Sequence, residues 1–267
     1  MTSIASPSLA NRVAVVTGAA TSLAAAVADA LASAGASLLL VDRNADGLAR
    51  RAEAMPSAIG HVADLRDDAA LSAIPAAAEA AFGRLDILVN MAAVYNDAGK
   101  ASTRAQWLDT FDVNLVSAAL LSEVCRPAME RQGGGVIVNM ASLAGKVPRI
   151  GRWTYPASKA ALLHLTRSMA VDFAASGIRV NSVSPSWIWS EPLARAFGDD
   201  RDAARAAAAK LHILPRFGEA EEVAHAVLFL CSPAASFITG TDLAVDGGGG
   251  ILTAEGPAPR ASDPAAG

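Results

Sequence analysis

The chain has 267 residues, a formal net charge of −4, and 52% hydrophobic against 18% charged residues. That length suffices for one sizeable core. The composition excludes a disordered chain, and mild acidity without a basic stripe argues against a nucleic-acid binder. The only cysteines, Cys125 and Cys231, are too few for a disulfide framework and fit the reducing cytoplasm. Residues 1–12 hold no apolar stretch of the secretory kind. No uncharged apolar run reaches the roughly 20 residues that span a bilayer. The expectation is a cytoplasmic protein with a small-molecule partner and no nucleic-acid or membrane partner.

In chain order, a buried strand is expected over 12–17, ending at Gly18, then an alanine-rich helix over 22–34 stopped by Gly35. A second strand, 37–42, ends in a carboxylate, and Asn44 caps a helix to 55. A third strand, 59–63, precedes Asp64, and Asp67 or Asp68 caps a helix to about 82. A strand at 85–90 leads to a long helical region, 103–131, with a bend expected near Asn114. The fifth strand is 135–140, the next helix 155–176 and the sixth strand 178–183, stopped by Pro185. A helix at 219–231 and a short strand at 242–245 close the pattern. Short apolar runs alternating with helices predict one doubly wound, Rossmann-like α/β domain over 1–255, its parallel sheet covered on both faces. The Pro- and Ala-rich segment 256–267 reads as a flexible tail.

The turn from Thr17 to Ala24 joins the first strand to the first helix, where N–H groups and the helix dipole favour a pyrophosphate. Gly18 suits the tight turn, whereas Ser22 and Ala24 stand where a dinucleotide fingerprint has further glycines. Taken alone, this is equally an ordinary strand-to-helix turn. Asp42 follows Gly18 by 24 residues and suits an adenosine ribose. Its carboxylate would repel a 2′-phosphate and so favours NAD over NADP, while Arg43 could instead grip that phosphate. Asp64 could reach the adenine edge or cap the following turn.

Tyr155 and Lys159 stand four apart on one helix face, so the cation could lower the phenol's pKa and make a usable base. Their location gives the pair its weight, because such a spacing is often only a helix face. Ser142, 13 residues before Tyr155, sits where ligands meet the strand ends of α/β sheets. Asn114 inside the long helix is otherwise a solvent-facing residue or a kink.

With these residues the chain resembles the short-chain dehydrogenase/reductase family, in its branch of about 250 residues with a Tyr-x-x-x-Lys pair. The resemblance runs from about Arg12 to Gly248. It rests on Thr17-Gly18, Asp64, Asn90-Met91-Ala92-Ala93, Asn114, Ser142, Tyr155 with Lys159, Pro185, Thr239-Gly240 and Val245 to Gly248. It implies that Tyr155 is the general acid/base and that Ser142 orients the substrate oxygen. Lys159 would lower the tyrosine pKa and hold the nicotinamide ribose, and Asn114 would support a relay water. It also implies cofactor contacts at Thr21, Ser22, Leu23, Leu65, Asn90, Ala92, Pro185, Trp187 and Ile188, and a homotetramer. Ser22, Ala24, Met91, Ala93 and Ser186 depart from the family's usual residues. These departures bear on cofactor affinity and loop geometry and leave the four catalytic positions as the family has them.

Three loops, 92–101, 143–153 and 186–215, should wall the substrate pocket, with Tyr95, Ala144 and Trp187 among the lining. Of Trp187 and Trp189, at most one should face it if the segment is extended. The middle loop carries Lys146, Arg149 and Arg152; Arg152, with Arg195 from the third loop, could pair with a substrate anion. The alternative is a solvated basic loop or an intersubunit salt bridge. His164, His212 and His225 lack metal-ligand spacing, so no metal is expected. The expected function is NAD-dependent hydride transfer between nicotinamide and a secondary alcohol or ketone, with or without an anionic group. The alternative is a non-catalytic nucleotide-binding or regulatory protein on the same fold.

Overall fold

The computed structural model describes residues 8–252. The expected tail, 256–267, lies outside them. Seven parallel strands form one sheet in the order β3-β2-β1-β4-β5-β6-β7: β1 Val13–Thr17, β2 Ser37–Asp42, β3 Ala58–Val62, β4 Ile87–Asn90, β5 Gly135–Met140, β6 Ile178–Pro185 and β7 Asp242–Val245. The central strands are mostly apolar because both their faces are buried, with polar residues such as Thr17, Asn90 and Asn139 near their carboxyl ends. Alternate residues feed two cores. Ala14, Val16, Leu38, Leu40 and Val89 pack beneath α1 (Ser22–Ser33) and α9 (Ala220–Cys231). Val13, Val15, Leu39, Val41 and Leu88 pack beneath α3 (Asp68–Phe82), α5 (Ser117–Arg131) and α6 (Thr154–Asp172).

Local signals set several boundaries. Thr21 caps α1 by accepting from the Ala24 N–H, Asn44 caps α2 (Ala45–Glu53) at Gly47, and Asp67 caps α3 at Ala69 and Ala70. The long helical region comprises α4 (Arg104–Phe111), a π-helical turn over Asp112–Val116 and α5. The expected bend near Asn114 is thus a π-bulge, a device that widens a helix locally and often accompanies functional sites.

The third loop needs correction. Residues 186–215 contain α7 (Glu191–Phe197) and α8 (Arg201–Ala208). Both are short, so periodicity barely registers. Asp200 starts α8 by accepting from Asp202 and Ala203. Among the described residues no helix is long and apolar enough to cross a membrane.

From β1 the chain builds β2 and β3 on one side, then crosses to β4 on the other. The reversal opens a crevice at the carboxyl ends of β1 and β4, where ligands of open α/β sheets bind.

Candidate active site

The crevice is built on a close backbone approach. Gly18 has φ +69°, and a Cβ there would lie 2.9 Å from the Ala92 Cα, so both the left-handed turn and the contact require glycine. The Thr17 hydroxyl accepts from the backbone N–H groups of Met91 (2.9 Å) and Ala92 (3.1 Å), tying β1 to the loop after β4. Gly18, Thr21, Leu23, Asp42, Arg43, Asp64, Leu65 and Ala92 line the resulting cleft, which Tyr155 and Lys159 close at its far end. Ser22, on the first turn of α1, is not among the residues that line it.

Asp42 is half-buried and already accepts from the backbone of Ala20 (3.0 Å) and Asn44 (2.8 Å). Its orientation toward the cleft is therefore locked. Arg43 is exposed beside it. Asp64 accepts from both the backbone and guanidinium of Arg66, which holds its carboxyl down at about 2 despite partial burial. Arg66 also pairs with Asp109 across the cleft rim. The turn-capping alternative for Asp64 thus describes its bonding.

Ser22 has a partner that sequence reasoning missed. The Glu191 carboxylate accepts from the Ser22 backbone N–H at 3.0 Å and from its hydroxyl at 2.6 Å. The hydroxyl expected to serve a pyrophosphate is therefore engaged by a side chain from the start of α7. Burial raises the Glu191 pKa, but these two bonds and nearby Arg195 hold it below the usual range. The only sequence cue was an acidic residue before Pro192 at a helix start.

Tyr155 sits in the first turn of α6, where Asp97 aligns it. The Asp97 carboxylate accepts from the backbone of Trp153 (2.9 Å) and Tyr155 (3.1 Å), and also from Gly99. Partial burial raises its pKa, and these N–H bonds more than reverse the effect. The loop after β4 thus supplies the missing cap for a helix whose own flanking residue, Trp153, provides none. Sequence gave no pointer to Asp97 beyond its place in that loop.

The Tyr155 ring stacks on Tyr95, with centroids 4.6 Å apart and planes 24° apart. Removal from water, then the Tyr95 hydroxyl, raise the Tyr155 pKa well above 10, and Ser142 opposes them. The expected influence of Lys159 is not among these causes. The Lys159 Nζ lies 5.7 Å from the Tyr155 ring centre and donates instead to the Met140 carbonyl at 2.7 Å. Burial also pushes the Lys159 ammonium down to about 8. The Ser142 hydroxyl accepts from the Ala144 N–H and faces the adjoining cavity.

Asn114 is buried in the π-turn. Its carboxamide accepts from the Val94 N–H (2.8 Å) and donates to the Val94 carbonyl and Ser158 hydroxyl, both at 3.1 Å. It pins the loop carrying Tyr95 to the helix carrying Tyr155. Asn90 points away from the cleft: it donates to Ser122 and Asn139 in a buried network between β4, β5 and α5. Strand alternation turns that side chain inward, so any contact of Asn90 with a cofactor would have to come from its backbone at the strand end.

The adjoining cavity is lined by Pro185, Trp187 and Ile188, with Ala144, Tyr95 and Arg152. Trp187 meets Phe197 edge-on, whereas Trp189 points away onto Phe217 and Arg201. Arg195 is not among the lining residues; it lies near Glu191 instead. Lys146 is ion-paired to Asp242. Ser186 carries a hydroxyl bonded to His212 Nε2 at 2.8 Å, while His212 Nδ1 faces the Arg216 carbonyl at 2.6 Å. A carbonyl only accepts, so Nδ1 bears the proton and Ser186 donates. The side chain at 186 thus gives a buried histidine its second partner.

A sequence family described as enoyl-(acyl carrier protein) reductase matches residues 18–249. The cis-4-hydroxycyclohexanecarboxylate dehydrogenase of Sinomonas cyclohexanicum is 39% identical over 90% of this chain and 96% of its own. The D-threitol dehydrogenase of Mycolicibacterium smegmatis is 38% identical over 89% of this chain and 92% of its own. This chain belongs to the short-chain dehydrogenase/reductase family. The structure of a 7α-hydroxysteroid dehydrogenase complexed with NADH and 7-oxo glycochenodeoxycholic acid superposes with a TM-score of 0.84 at 32% identity, covering 90% of this chain and 95% of that one. The protein is an oxidoreductase of the family, acting on alcohols with a nicotinamide cofactor. Its relatives favour this over a non-catalytic binding protein on the same fold.

Proposed function

We propose that the protein is an NAD-dependent dehydrogenase of secondary alcohols, or in reverse a ketone reductase. The observation that carries the reading is the place of Tyr155 in the wall shared by the cleft and the adjoining cavity, with Lys159 on the cleft side and Ser142 on the cavity side. The cleft suits a dinucleotide because its backbone is drawn in at Gly18 and it opens on the first turn of α1. The bound nicotinamide supplies the hydride acceptor or donor.

In this reading Ser142 donates to the carbinol or carbonyl oxygen. The Tyr155 hydroxyl gives its proton to the carbonyl oxygen in reduction and takes the carbinol proton in oxidation, where the nearby Lys159 ammonium would favour the phenolate against the effect of burial. Lys159 holds the ribose hydroxyls, and its ammonium, shared with the Met140 carbonyl, keeps positive charge at the cleft floor. Asn114 is a positioning residue that fixes the Tyr95 loop. Asp42 favours NAD by offering an oriented carboxylate where NADP would bring a phosphate.

The same reading treats residues 1–255 as one domain and places the chain in the cytoplasm. Unpaired, buried Cys125 and Cys231 support that location. The test of the cofactor assignment is kcat/KM for NAD and NADP over a panel of secondary alcohols. NAD should win, and Asp42→Ala should erase most of the margin. A wild-type preference for NADP would assign the corner to Arg43. The charge of the substrate is a separate question, since the relatives named above act on an anionic and on an uncharged alcohol.

A further inference from the structure

The cavity beside Tyr155 has a volume of about 610 Å³. That is enough for a substrate of a dozen or more heavy atoms. Its walls are mainly apolar, with Ile150, Trp187, Leu193 and Phe197 among them. Three charged side chains line it: Asp97, Arg149 and Arg152. Asp97 is saturated by backbone N–H groups. Arg152 is exposed at the mouth.

Arg149 differs from both. It is half-buried, and among the described residues its guanidinium has neither a salt bridge nor a hydrogen bond. Comparable cations nearby are all provided for. Lys146 pairs with Asp242, Arg216 with Glu222, and half-buried Arg179 donates to the carbonyls of Leu230, Ser232 and Ile238. Burial alone depresses the Arg149 pKa, and no carboxylate offsets it. The ionisable neighbour it does influence is His212, which is neutral and already bonded on both ring nitrogens. A guanidinium stays charged in any protein setting, and drawing it partly out of water without a partner is unfavourable, although no Arg149 nitrogen is wholly shut off from water. An arriving anion would relieve that penalty.

We propose that Arg149 anchors a carboxylate on the substrate, so that this enzyme's alcohol is a hydroxy acid whose apolar body separates the carbinol from the anion. The proposal rests on the dehydrogenase reading for the carbinol end only. The planar fork of arginine matches a carboxylate with two parallel hydrogen bonds. The apolar walls suit a ring or branched chain between the ends. Arg152, at the mouth, draws the anion in without being its seat. Sequence alone favoured Arg152, because it stands nearest to Tyr155 along the chain.

The test uses the full chain with saturating NADH and two probes that cannot react, cyclohexanecarboxylate and cyclohexanecarboxamide. Calorimetry should show the acid binding at least about tenfold more tightly than the amide, as loss of a charge-assisted bond implies. Arg149→Met should bring that ratio to within about twofold of unity, Arg149→Lys should keep part of it, and Arg152→Met should keep most. Equal binding of acid and amide by the wild type, or an unchanged ratio in Arg149→Met, overturns the anchor. If the Met variant does not fold by circular dichroism, Arg149→Gln reads the same ratio. Turnover separates the two proposals. Oxidation of neutral alcohols with no preference for hydroxy acids sinks the anchor and leaves the dehydrogenase. Arg149-dependent acid binding without oxidation of any alcohol sinks the dehydrogenase and leaves the anchor.

Discussion

Glu191 and Ser22, 169 residues apart, meet with a carboxylate bonded to both the backbone N–H and the hydroxyl at the start of α1. A negative group therefore sits on the helix end proposed to receive a pyrophosphate. Glu191→Gln keeps the shape and removes the charge. NADH affinity should then rise by about fivefold, corresponding to roughly 1 kcal/mol between like charges at this range in a solvated site. Fluorescence titration of NADH measures it. Weaker binding by the glutamine variant would mean that the carboxylate positions the turn instead of competing for it.

The stacked pair Tyr95 and Tyr155 makes a prediction about pH. Tyr155→Phe should lower kcat by about 10²–10⁴-fold, the usual contribution of a general acid–base group. Tyr95→Phe should act differently. The Tyr95 hydroxyl helps raise the Tyr155 pKa, so removing it lowers that pKa. Alcohol oxidation needs the deprotonated phenol, so the rising limb of log kcat/KM against pH should move to lower pH. A limb that stays in place would show that Tyr95 only packs.

Asp97 should matter both to stability and to turnover. Replacing a helix-capping carboxylate by alanine typically costs about 0.5–2 kcal/mol. Asp97→Ala should lower the melting temperature accordingly and reduce kcat, because the bonds it loses hold the backbone of Trp153 and Tyr155. Its pKa is depressed in the folded state, so its contribution is complete above the unfolded value of about 4 and fades as pH falls through the lower folded value. The wild type and Asp97→Ala should therefore converge in stability in acid below pH 4. Urea melts at pH 7 and pH 3 provide the check.

The family resemblance implies a homotetramer, and we propose that exposed apolar side chains on α4, the π-turn, α5 and α6 take part in it. Val116 and Leu120 on the π-turn and α5, Leu108 on α4 and Val171 on α6 are all exposed. Apolar positions on neighbouring helices favour association through twofold axes. Light scattering at micromolar concentration should give four copies, and Val116→Asp with Leu120→Asp should give smaller species. A monomeric wild type would refute this.

Much of the fold follows from local sequence. Apolar β-branched runs such as Val13 to Val16 form strands buried on both faces, and Thr21, Asn44 and Asp67 start helices with their own side chains. The spacing of Tyr155 and Lys159 is also local, since four residues on a helix share a face. These features are legible because their physics acts within one turn or one strand. The tertiary structure alone decided the rest. It brought Asp97 to the start of α6 across 58 residues and Glu191 to Ser22 across 169, and it turned Asn90 into the core. It also separated Arg149 from Arg152, three residues apart on an irregular loop without periodicity. Only the path of that loop over the cavity determines which guanidinium is half-buried and which stays in water.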